Sequence, residues 1–425
     1  MTTAGFPANP DVIVVGAGTA GRACAQALID AGKSVLVLEA AAHSGGRCHT
    51  DAAALGMPFD IGGSWLHAAA INPLVPLAAK VGIALDKTPA DWAFVVDRGR
   101  RLRAGELHGY SRAHQQMWDH LNSAGAGAGD VAVASLLPDQ PHIAMTRHWV
   151  AQMHGGDADV VSVQDVVRYA EVGGDWLVHG GLGALVARLF ADVPVRCDCP
   201  VTAIEIAGDR VRAVTPHGTA EAPHLVVTVS TGVLRGGGIH FTPALPATHQ
   251  AALEQLPMGL LNKIGLAFAP GWQQAHSGQI ADYRASDDAF CTIQFGMCGT
   301  GLAMGFLAGR FADRIEAEGP GAATDFCREA LRAIFGSDVT RHIARTHETA
   351  WRGNPLARGS YSHALPGGAD ARATLARPVQ GRLFFAGEAT IPDAYATVHG
   401  AYLSGRAAAR QVVAPGRGRT ARAGL

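Results

Sequence analysis

The sequence predicts an α/β fold with more than one domain, and three observations support this. An apolar run, Val12–Val15, leads into a Gly-rich turn, an Ala-rich segment long enough for three helical turns, and a second apolar run at residues 34–38. Similar runs return far along the chain, at residues 225–230 and 383–385. The length of 425 residues is too great for one compact core. We therefore expect a parallel sheet assembled from separated segments, together with a second domain.

The first turn carries the residues that a dinucleotide site needs. Gly16 permits a tight turn, Gly18 lets the backbone approach a diphosphate, and Gly21 lets the helix pack on the strand. Glu39 ends the second apolar run and can accept hydrogen bonds from ribose hydroxyl groups. The helix N-terminus favours the diphosphate anion. The sequence therefore predicts a Rossmann-like nucleotide unit, and the alternative is a Gly-rich helix–strand contact that binds nothing.

Two glycine doublets follow this unit closely. The first precedes Arg47, and the second precedes Ser64 and Trp65. Taken alone, each doublet indicates only a turn. Together they indicate backbone lying against a long cofactor, with Gly46 and Gly63 close to it and Arg47 as a cation near a phosphate. The sequence therefore favours an extended dinucleotide such as FAD.

Composition and charge exclude several other classes of protein. The 35 basic and 36 acidic residues give a net charge of −1, so no nucleic acid or membrane partner is expected. The apolar runs are all shorter than the roughly 20 residues that span a bilayer. The start of the chain lacks the pattern of a cleaved signal, and seven cysteines are scattered without metal-ligand spacing. We expect a cytoplasmic protein with no metal site.

The pattern changes several times along the chain. An Ala- and His-rich stretch that we expect to be mostly helical is followed by strands near residues 193–197 and 201–206, with a hairpin turn at Gly208. The predicted order is 1–71 as the first part of the FAD-binding domain, 72–190 as a helical part of the substrate domain, 191–250 as the second part of the FAD-binding domain, 251–375 as the rest of the substrate domain, 376–413 as the third part of the FAD-binding domain, and 414–425 as a disordered Arg-rich tail.

Eight stretches resemble the FAD-dependent amine oxidases, and the polyamine oxidase branch is the nearest. They lie in the family's order between residues 12 and 409 and read VIVVGAGTAG, SGGRCHTD, GGSWLHA, GGLGAL, VVTVSTGVL, LPMGLLNKIGLAF, WRGNPLARGSYS and FAGEATIPDAYATVHGAYLSG. The last stretch is the most specific because it is the longest. The resemblance implies a discontinuous Rossmann-like FAD-binding domain interleaved with an α+β substrate-binding domain, which is a mixed sheet flanked by helices.

The resemblance also assigns four catalytic positions. Lys263 corresponds to the lysine that holds a water against flavin N5, and it stands in an otherwise apolar strand pattern. Tyr361 corresponds to an aromatic wall beside the flavin, and Thr397 replaces the second aromatic wall of monoamine oxidases. His67 corresponds to a histidine in the substrate channel of animal-type polyamine oxidases. Without the motif, Lys263 could be a strand-edge lysine that reaches solvent, and His67 could be a structural histidine.

The last matching stretch is expected to clamp the cofactor. Gly387 lets the backbone approach, Glu388 bonds the ribityl or diphosphate-proximal groups, and the helix that begins at Val398 directs its dipole at the pyrimidine edge of the flavin. Ser360 stands where monoamine oxidases have a flavin-linked cysteine, so the FAD is expected to be non-covalent. The full set of expected cofactor contacts is Gly16, Gly18, Gly21, Glu39, Gly46, Arg47, Gly63, Ser64, Trp65, Val201, Trp351, Gly387, Glu388, Thr397 and Val398.

The implied reaction moves hydride from the carbon next to an amine nitrogen to flavin N5. The imine is then hydrolysed, and oxygen reoxidises the flavin and yields hydrogen peroxide. The implied partners are a small-molecule amine and O2, and a homo-oligomer is left open. Glu171 and Asp175 are candidates for recognising a polycation.

Several alternatives stay open. An L-amino-acid oxidase needs a cation for the substrate carboxylate, and Arg168 or Arg310 could provide it. A desaturase, a porphyrinogen-type oxidase or a mutase would share the fold but would not require Lys263. A chromatin demethylase is disfavoured because the chain lacks room for both an added DNA-associated domain and a long helical insert, and because its net charge gives no support for a nucleic-acid partner. A non-enzymatic FAD-binding module is the least favoured.

Overall fold

The structure is a computed structural model that describes residues 6, 9–269, 272 and 276–414. The predicted Arg-rich tail from residue 415 onward lies outside the described residues. The strands are β1 Val12–Val15, β2 Val35–Leu38, β3 Thr50–Asp51, β4 Phe59–Asp60, β5 Trp65–Leu66, β6 Leu85–Asp86, β7 Asp91–Asp97, β8 Arg100–Arg101, β9 Trp176–Val178, β10 Val195–Arg196, β11 Ala203–Ala207, β12 Arg210–Thr215, β13 Gly218–Ala222, β14 His224–Val227, β15 His240–Thr242, β16 Leu261–Phe268, β17 Gln279–Ser286, β18 Ala289–Phe295, β19 Leu302–Ala308, β20 Ile343–Glu348 and β21 Leu383–Phe385. The helices are α1 Thr19–Asp30, α2 Leu74–Lys80, α3 Ala104–Gly127, α4 Ile143–Thr146, α5 His148–His154, α6 Val163–Arg168, α7 Leu182–Leu189, α8 Thr231–Arg235, α9 Ala247–Glu254, α10 Gly309–Glu318, α11 Ala322–Phe335, α12 Ala371–Leu375 and α13 Val398–Val413.

A five-stranded parallel sheet is assembled from distant parts of the chain. Its order is β10-β2-β1-β14-β21, and Val12 stands opposite both Val35 and His224. All four residues of β1 are buried, as expected for a parallel strand covered on both faces. Because parallel strands share their carboxyl ends, the loops after β1, β14 and β21 meet at one edge. The predicted α/β fold class with a discontinuous Rossmann-like domain is confirmed.

Two long helices with small residues pack together beside this sheet. Ala20 and Ala23 of α1 share a buried cluster with Ala408 and Ala409 of α13. Side chains that add so little volume let the two backbones approach closely. The helices come from opposite ends of the chain, so this contact joins the first and last parts of the nucleotide-binding domain.

A seven-stranded mixed sheet forms the core of the second domain. Its order is β20-β16-β19-β18-β17-β7-β8, in which β17 and β7 are parallel and the other pairs are antiparallel. Strands β6, β7 and β8 lie close together within residues 72–190, and the expectation that this stretch is mostly helical missed them, although helices α3 to α7 follow in the rest of it. Burial along β7 does not alternate regularly. Its pairing with β17, nearly two hundred residues later, therefore had no clear local signal.

Smaller sheets complete the fold. The predicted turn at Gly208 joins β11 and β12 as an antiparallel hairpin within the sheet β13-β12-β11-β15. A further sheet has three strands in the order β5-β9-β6. Among the described residues, the helices are all too short or too polar to cross a membrane.

Candidate active site

A cavity of about 940 Å³ extends from the carboxyl edge of the parallel sheet to one face of the seven-stranded sheet. This volume lies toward the upper end of the roughly 300–1,000 Å³ that is usual for ligand sites. The predicted site residues that line the cavity are Gly16, Gly18, Glu39, Gly46, Arg47, Gly63, Ser64, Trp65, His67, Val201, Lys263, Trp351, Tyr361, Gly387, Glu388, Thr397 and Val398.

The start of α1 forms the nucleotide end of the cavity. Gly21 does not line the cavity, because it packs behind the turn. A Cβ atom at Gly21 would lie 1.9 Å from the carbonyl oxygen of Gly16, so its place as a cofactor contact is corrected to a support of the turn. Thr19 lines the cavity, and its hydroxyl oxygen is buried without a hydrogen-bond partner in the described chain. The first turn of α1 has no acidic residue, so this end fits a diphosphate.

Glu39 lies at the end of β2 and faces the same turn. Its Oε2 accepts a hydrogen bond from the backbone N–H of Ala17 at 2.7 Å, and its Oε1 accepts one from Ala41 at 2.9 Å. A carboxylate has about four acceptor positions. The two that are left can receive ribose hydroxyl groups.

Arg47 and Glu388 form an ion pair inside the cavity wall, with Nη1 and Oε1 2.8 Å apart. Glu388 also accepts hydrogen bonds from the backbone and hydroxyl groups of Ser362 and from the backbone of Ala396. Burial raises the pKa of Glu388, but the charges of Arg47 and Arg372 lower it by a larger amount. The net pKa of Glu388 is therefore below its usual range. Four chain donors fill the acceptor positions of this carboxylate. The expected direct bond from Glu388 to the cofactor is therefore corrected to a role in positioning Arg47.

The N-terminus of α13 faces the cavity. Thr397 caps the helix, because its hydroxyl oxygen accepts a hydrogen bond from the backbone of Gly400 at 2.9 Å. Gly63 packs directly on this first turn, and a Cβ atom there would lie 2.4 Å from Cγ2 of Val398. The second glycine doublet thus fixes the position of a helix end whose unpaired N–H groups can receive negative charge.

Lys263 projects from β16 into the cavity although only 3% of the residue is exposed. Its ammonium group donates to the carbonyl oxygens of Asp60 and Gly62 and to the hydroxyl of Ser64, and it lies 5.2 Å from the centre of the Trp65 ring. Burial lowers the pKa of Lys263 to about 8. A buried amine that titrates near neutral pH is typical of a functional site.

His67 lies beside this lysine and is paired with a carboxylate. Its Nδ1 is 3.0 Å from Oδ1 of Asp175. Burial lowers the pKa of His67, but Asp175 and Glu171 raise it more, so the net pKa is above the usual value. Asp175 lines the cavity, whereas Glu171 is not among the lining residues. Of the two carboxylates proposed for polycation recognition, Asp175 is therefore the one in direct contact with the cavity.

Aromatic side chains form much of the wall. The hydroxyl of Tyr361 donates to the carbonyl oxygen of Gln152 at 2.5 Å, and the indole N–H of Trp351 donates to Ile61 at 3.2 Å. Trp65 packs on Phe306 with ring centres 5.5 Å apart. These contacts fix the orientation of the rings, so their faces are available to a cation.

Comparison with known proteins agrees with this geometry. A model described as flavin containing amine oxidoreductase matches residues 153–413, and a model of the NAD(P)-binding Rossmann-like domain matches residues 14–76. The first match covers more than half of the chain. The protein belongs to the flavin-containing amine oxidoreductases. Its cofactor is FAD, and the predicted class of enzyme, an FAD-dependent amine oxidase, is confirmed.

Two curated relatives of this amine oxidoreductase come from Oryza sativa subsp. japonica. "Polyamine oxidase 4" is 29% identical over 434 residues, which cover 94% of this chain and 88% of the relative. "Lysine-specific histone demethylase 1 homolog 3" is 30% identical over 430 residues, which cover 93% of this chain and 53% of the relative. This chain thus spans about half the length of the demethylase relative.

Two solved structures share the fold of this amine oxidoreductase. A double mutant of putrescine oxidase superimposes with a TM-score of 0.81 at 20% identity and covers 96% of this chain and 99% of its own. Cyclohexylamine oxidase from Brevibacterium oxydans IH-35A superimposes with a TM-score of 0.77 at 24% identity and covers 95% of this chain and 98% of its own.

Some residues of the amine oxidoreductase site were not singled out by the sequence. Asp60 is buried beneath Lys263 and accepts hydrogen bonds from the first backbone N–H groups of α7, at Leu182 and Gly183. Its acidic side chain, two residues before the Gly62-Gly63 doublet, was a visible signal. Thr292 and Gln152 also line the cavity. They lie in ordinary strand and helix patterns, so no local feature marks them.

The alternative of an amino-acid oxidase loses both of its candidate cations. Arg168 bonds Asp370, Arg310 bonds Asp157 and Asp159, and neither arginine lines the cavity. Groups of three or more metal-ligating side chains are absent from the described part of the chain.

Proposed function

We propose that this amine oxidase acts on a polyamine or a related amine, at a carbon next to nitrogen, with oxygen as the acceptor. The observation that carries the proposal is Lys263, a buried lysine with a lowered pKa that lines the same cavity as the nucleotide cradle. The names of the polyamine, putrescine and cyclohexylamine oxidases among its relatives support an amine of this kind.

The residues that would hold FAD fit its two ends. Glu39 and the start of α1 suit the adenosine and the diphosphate, and the capped N-terminus of α13 suits a group that gains negative charge. FAD, when bound, supplies the two-electron chemistry and the reaction with oxygen. Lys263 would hold a water at the reacting end, as the family resemblance implies.

The remaining side chains would bind and orient the amine. The ring of Tyr361 offers its face to the reacting nitrogen, and the pair formed by His67 and Asp175 gives the cavity a carboxylate that attracts a cation. Aromatic walls exclude water, which strengthens both interactions. The amine must lose its proton before reaction, because a protonated amine lacks the lone pair that assists hydride loss.

The experiment is anaerobic mixing of the purified holoprotein with mono-, di- and polyamines and with amino acids, while the flavin absorbance is followed. Bleaching by amines, faster at higher pH until the substrate is deprotonated, supports the proposal. Bleaching by amino acids alone, or by no compound in the panel, contradicts it. Rates that stay constant from acid to alkaline pH would refute the free-amine step.

A second candidate is oxidation of a methylated lysine side chain. The demethylase relative is 30% identical to this chain, and a methyl-lysine side chain is itself an amine with a carbon next to nitrogen. A peptide that carries monomethyl-lysine therefore belongs in the same panel. Reduction by this peptide at a higher rate than by any free amine would favour the second candidate.

A further inference from the structure

The floor of the cavity is one face of the seven-stranded sheet. Lys263 on β16 stands opposite Phe306 on β19, which stands opposite Thr292 on β18, which stands opposite Asp282 on β17. Directly paired residues point to the same face of a sheet. With strands about 4.8 Å apart, Asp282 lies about 14 Å from Lys263 along this row. The row therefore runs from the reacting end of the cavity to a buried carboxylate.

Asp282 is fully buried and is bonded by neutral groups. Its Oδ1 accepts a hydrogen bond from the hydroxyl of Thr292 at 2.6 Å. Its Oδ2 accepts hydrogen bonds from Tyr110 at 2.5 Å, Trp92 at 2.8 Å and Trp149 at 3.1 Å. Burial raises the pKa of Asp282 above its usual value, and these four donors offset only part of that rise. Two indole N–H groups can only donate, so the arrangement suits an ionised carboxylate.

No positive side chain is paired with this carboxylate among the described residues. Arg284, two positions further along the same face, is bonded to Asp97 at 2.8 Å. His114 packs against the rings of Trp92 and Trp149, and burial lowers its pKa to about 4. A buried carboxylate without a counter-charge is costly. A cation that entered the cavity next to it would relieve that cost.

The groups between Asp282 and the cavity suit a cation. Trp149, Gln152, Thr292 and Gln294 all line the cavity. Gln152 donates to the hydroxyl of Thr292, and Thr292 donates to the carboxylate. The side-chain amide of Gln294 has no hydrogen-bond partner within the described residues, so its oxygen is available as an acceptor. The ring of Trp149 adds an aromatic face.

We infer that Trp149, Thr292 and Gln294, backed by Asp282, form a subsite for a second ammonium group of the substrate, about two strands away from Lys263. The inference rests on the proposed function and narrows it to amines with a second cationic nitrogen several carbons from the reacting one. Asp282 does not line the cavity, so it would act on the ammonium group through its negative charge and through the hydrogen bonds that hold Thr292 and Trp149 in place. It is therefore a positioning and specificity residue. Asp175 lies beside His67 at the other end of this row and serves the reacting end.

The test compares an α,ω-diamine with the n-alkylamine of the same carbon number, using steady-state oxygen consumption by the holoenzyme. Asp282→Asn is expected to raise KM for the diamine about tenfold or more. It should change KM for the alkylamine less than about threefold and leave kcat nearly unchanged for both amines. Tyr110→Phe is the matched control, because it removes one donor and keeps the charge, and it should preserve the preference for the diamine.

Gln294→Leu is the second variant, because it changes the cavity face without disturbing the buried carboxylate. It should weaken diamine binding about threefold and leave alkylamine binding unchanged. This variant decides the matter if Asp282→Asn does not retain FAD. Equal losses for both amines, or no loss for either, would overturn the subsite. Failure of every amine to reduce the wild-type flavin would instead refute the proposed function.

Discussion

Replacing Lys263 with methionine tests the buried lysine most directly, because methionine has a similar length and no charge. Burial lowers the pKa of Lys263 from 10.5 to about 8. The folded protein therefore binds the ammonium proton less tightly than the unfolded chain does. Below pH 8 the lysine is charged in both states, and the folded state bears the cost of the buried charge. That cost is relieved as the pH rises from about 8 toward 10.5.

The size of the effect follows from the shift. One pKa unit corresponds to about 1.36 kcal/mol, and linkage between pH 7 and pH 10 gives about 2.5 kcal/mol. The free energy of unfolding of the wild type should therefore rise by about 2.5 kcal/mol relative to that of Lys263→Met over this range. Urea unfolding at the two pH values, followed by circular dichroism, measures this difference.

Lys80→Met is the control, since Lys80 is exposed at the end of α2. Its effect should be below about 1 kcal/mol and the same at both pH values. If Lys263→Met showed the same constant difference, the lowered pKa of Lys263 would be refuted.

In kinetics, Lys263→Met should retain FAD but slow the reduction of the flavin or its reaction with oxygen. Unchanged rates for both steps would remove Lys263 from the active site.

Three further predictions concern the cofactor cradle and the paired histidine. Gly21→Ala places a Cβ atom 1.9 Å from the carbonyl oxygen of Gly16 and should give protein without FAD. The control is Gly105→Ala on the exposed face of α3, which meets no neighbouring atom and should retain FAD. The flavin absorbance per mole of protein checks both variants. Glu39→Gln directs an amide N–H₂ at a backbone N–H and should weaken FAD binding about tenfold or more in a fluorescence titration of the apoprotein, and an unchanged Kd would contradict the role of Glu39. Asp175→Asn should destabilise the protein by about 1 kcal/mol at pH 6 but little at pH 9, because the raised pKa of His67 keeps it charged only in the acid range, and equal urea midpoints for wild type and variant at pH 6 would refute the pair.

Much of the parallel sheet was predictable because its signals are local. Strand β1, the turn and α1 follow each other in sequence, and the glycine spacing reflects contacts within that unit. The strand before Gly387 and the helix from Val398 are equally clear. Strand β7 was missed because its stability comes from pairing with β17, far along the chain. Local pattern carries little information about such a partner.

The candidate site shows the same division. The resemblance selected Lys263, Tyr361 and His67, and the structure brings all three to one cavity. It did not select Thr292 or Asp282, which become neighbours of the cavity only through the register of β16, β19, β18 and β17. Side-chain periodicity gives the face of a strand, whereas the partner strand and its register depend on the whole sheet.

Glu388 shows most clearly what the sequence alone does not determine. The sequence by itself determined that an acidic residue follows Gly387 at a strand end, that a dinucleotide binds, and that the chain belongs among the amine oxidases. Only the tertiary structure decided that this carboxylate bonds Arg47, Ser362 and Ala396. A motif specifies which groups are present near a cofactor. Arg47 lies more than three hundred residues from Glu388 in the chain, so only the folded chain brings these two groups together.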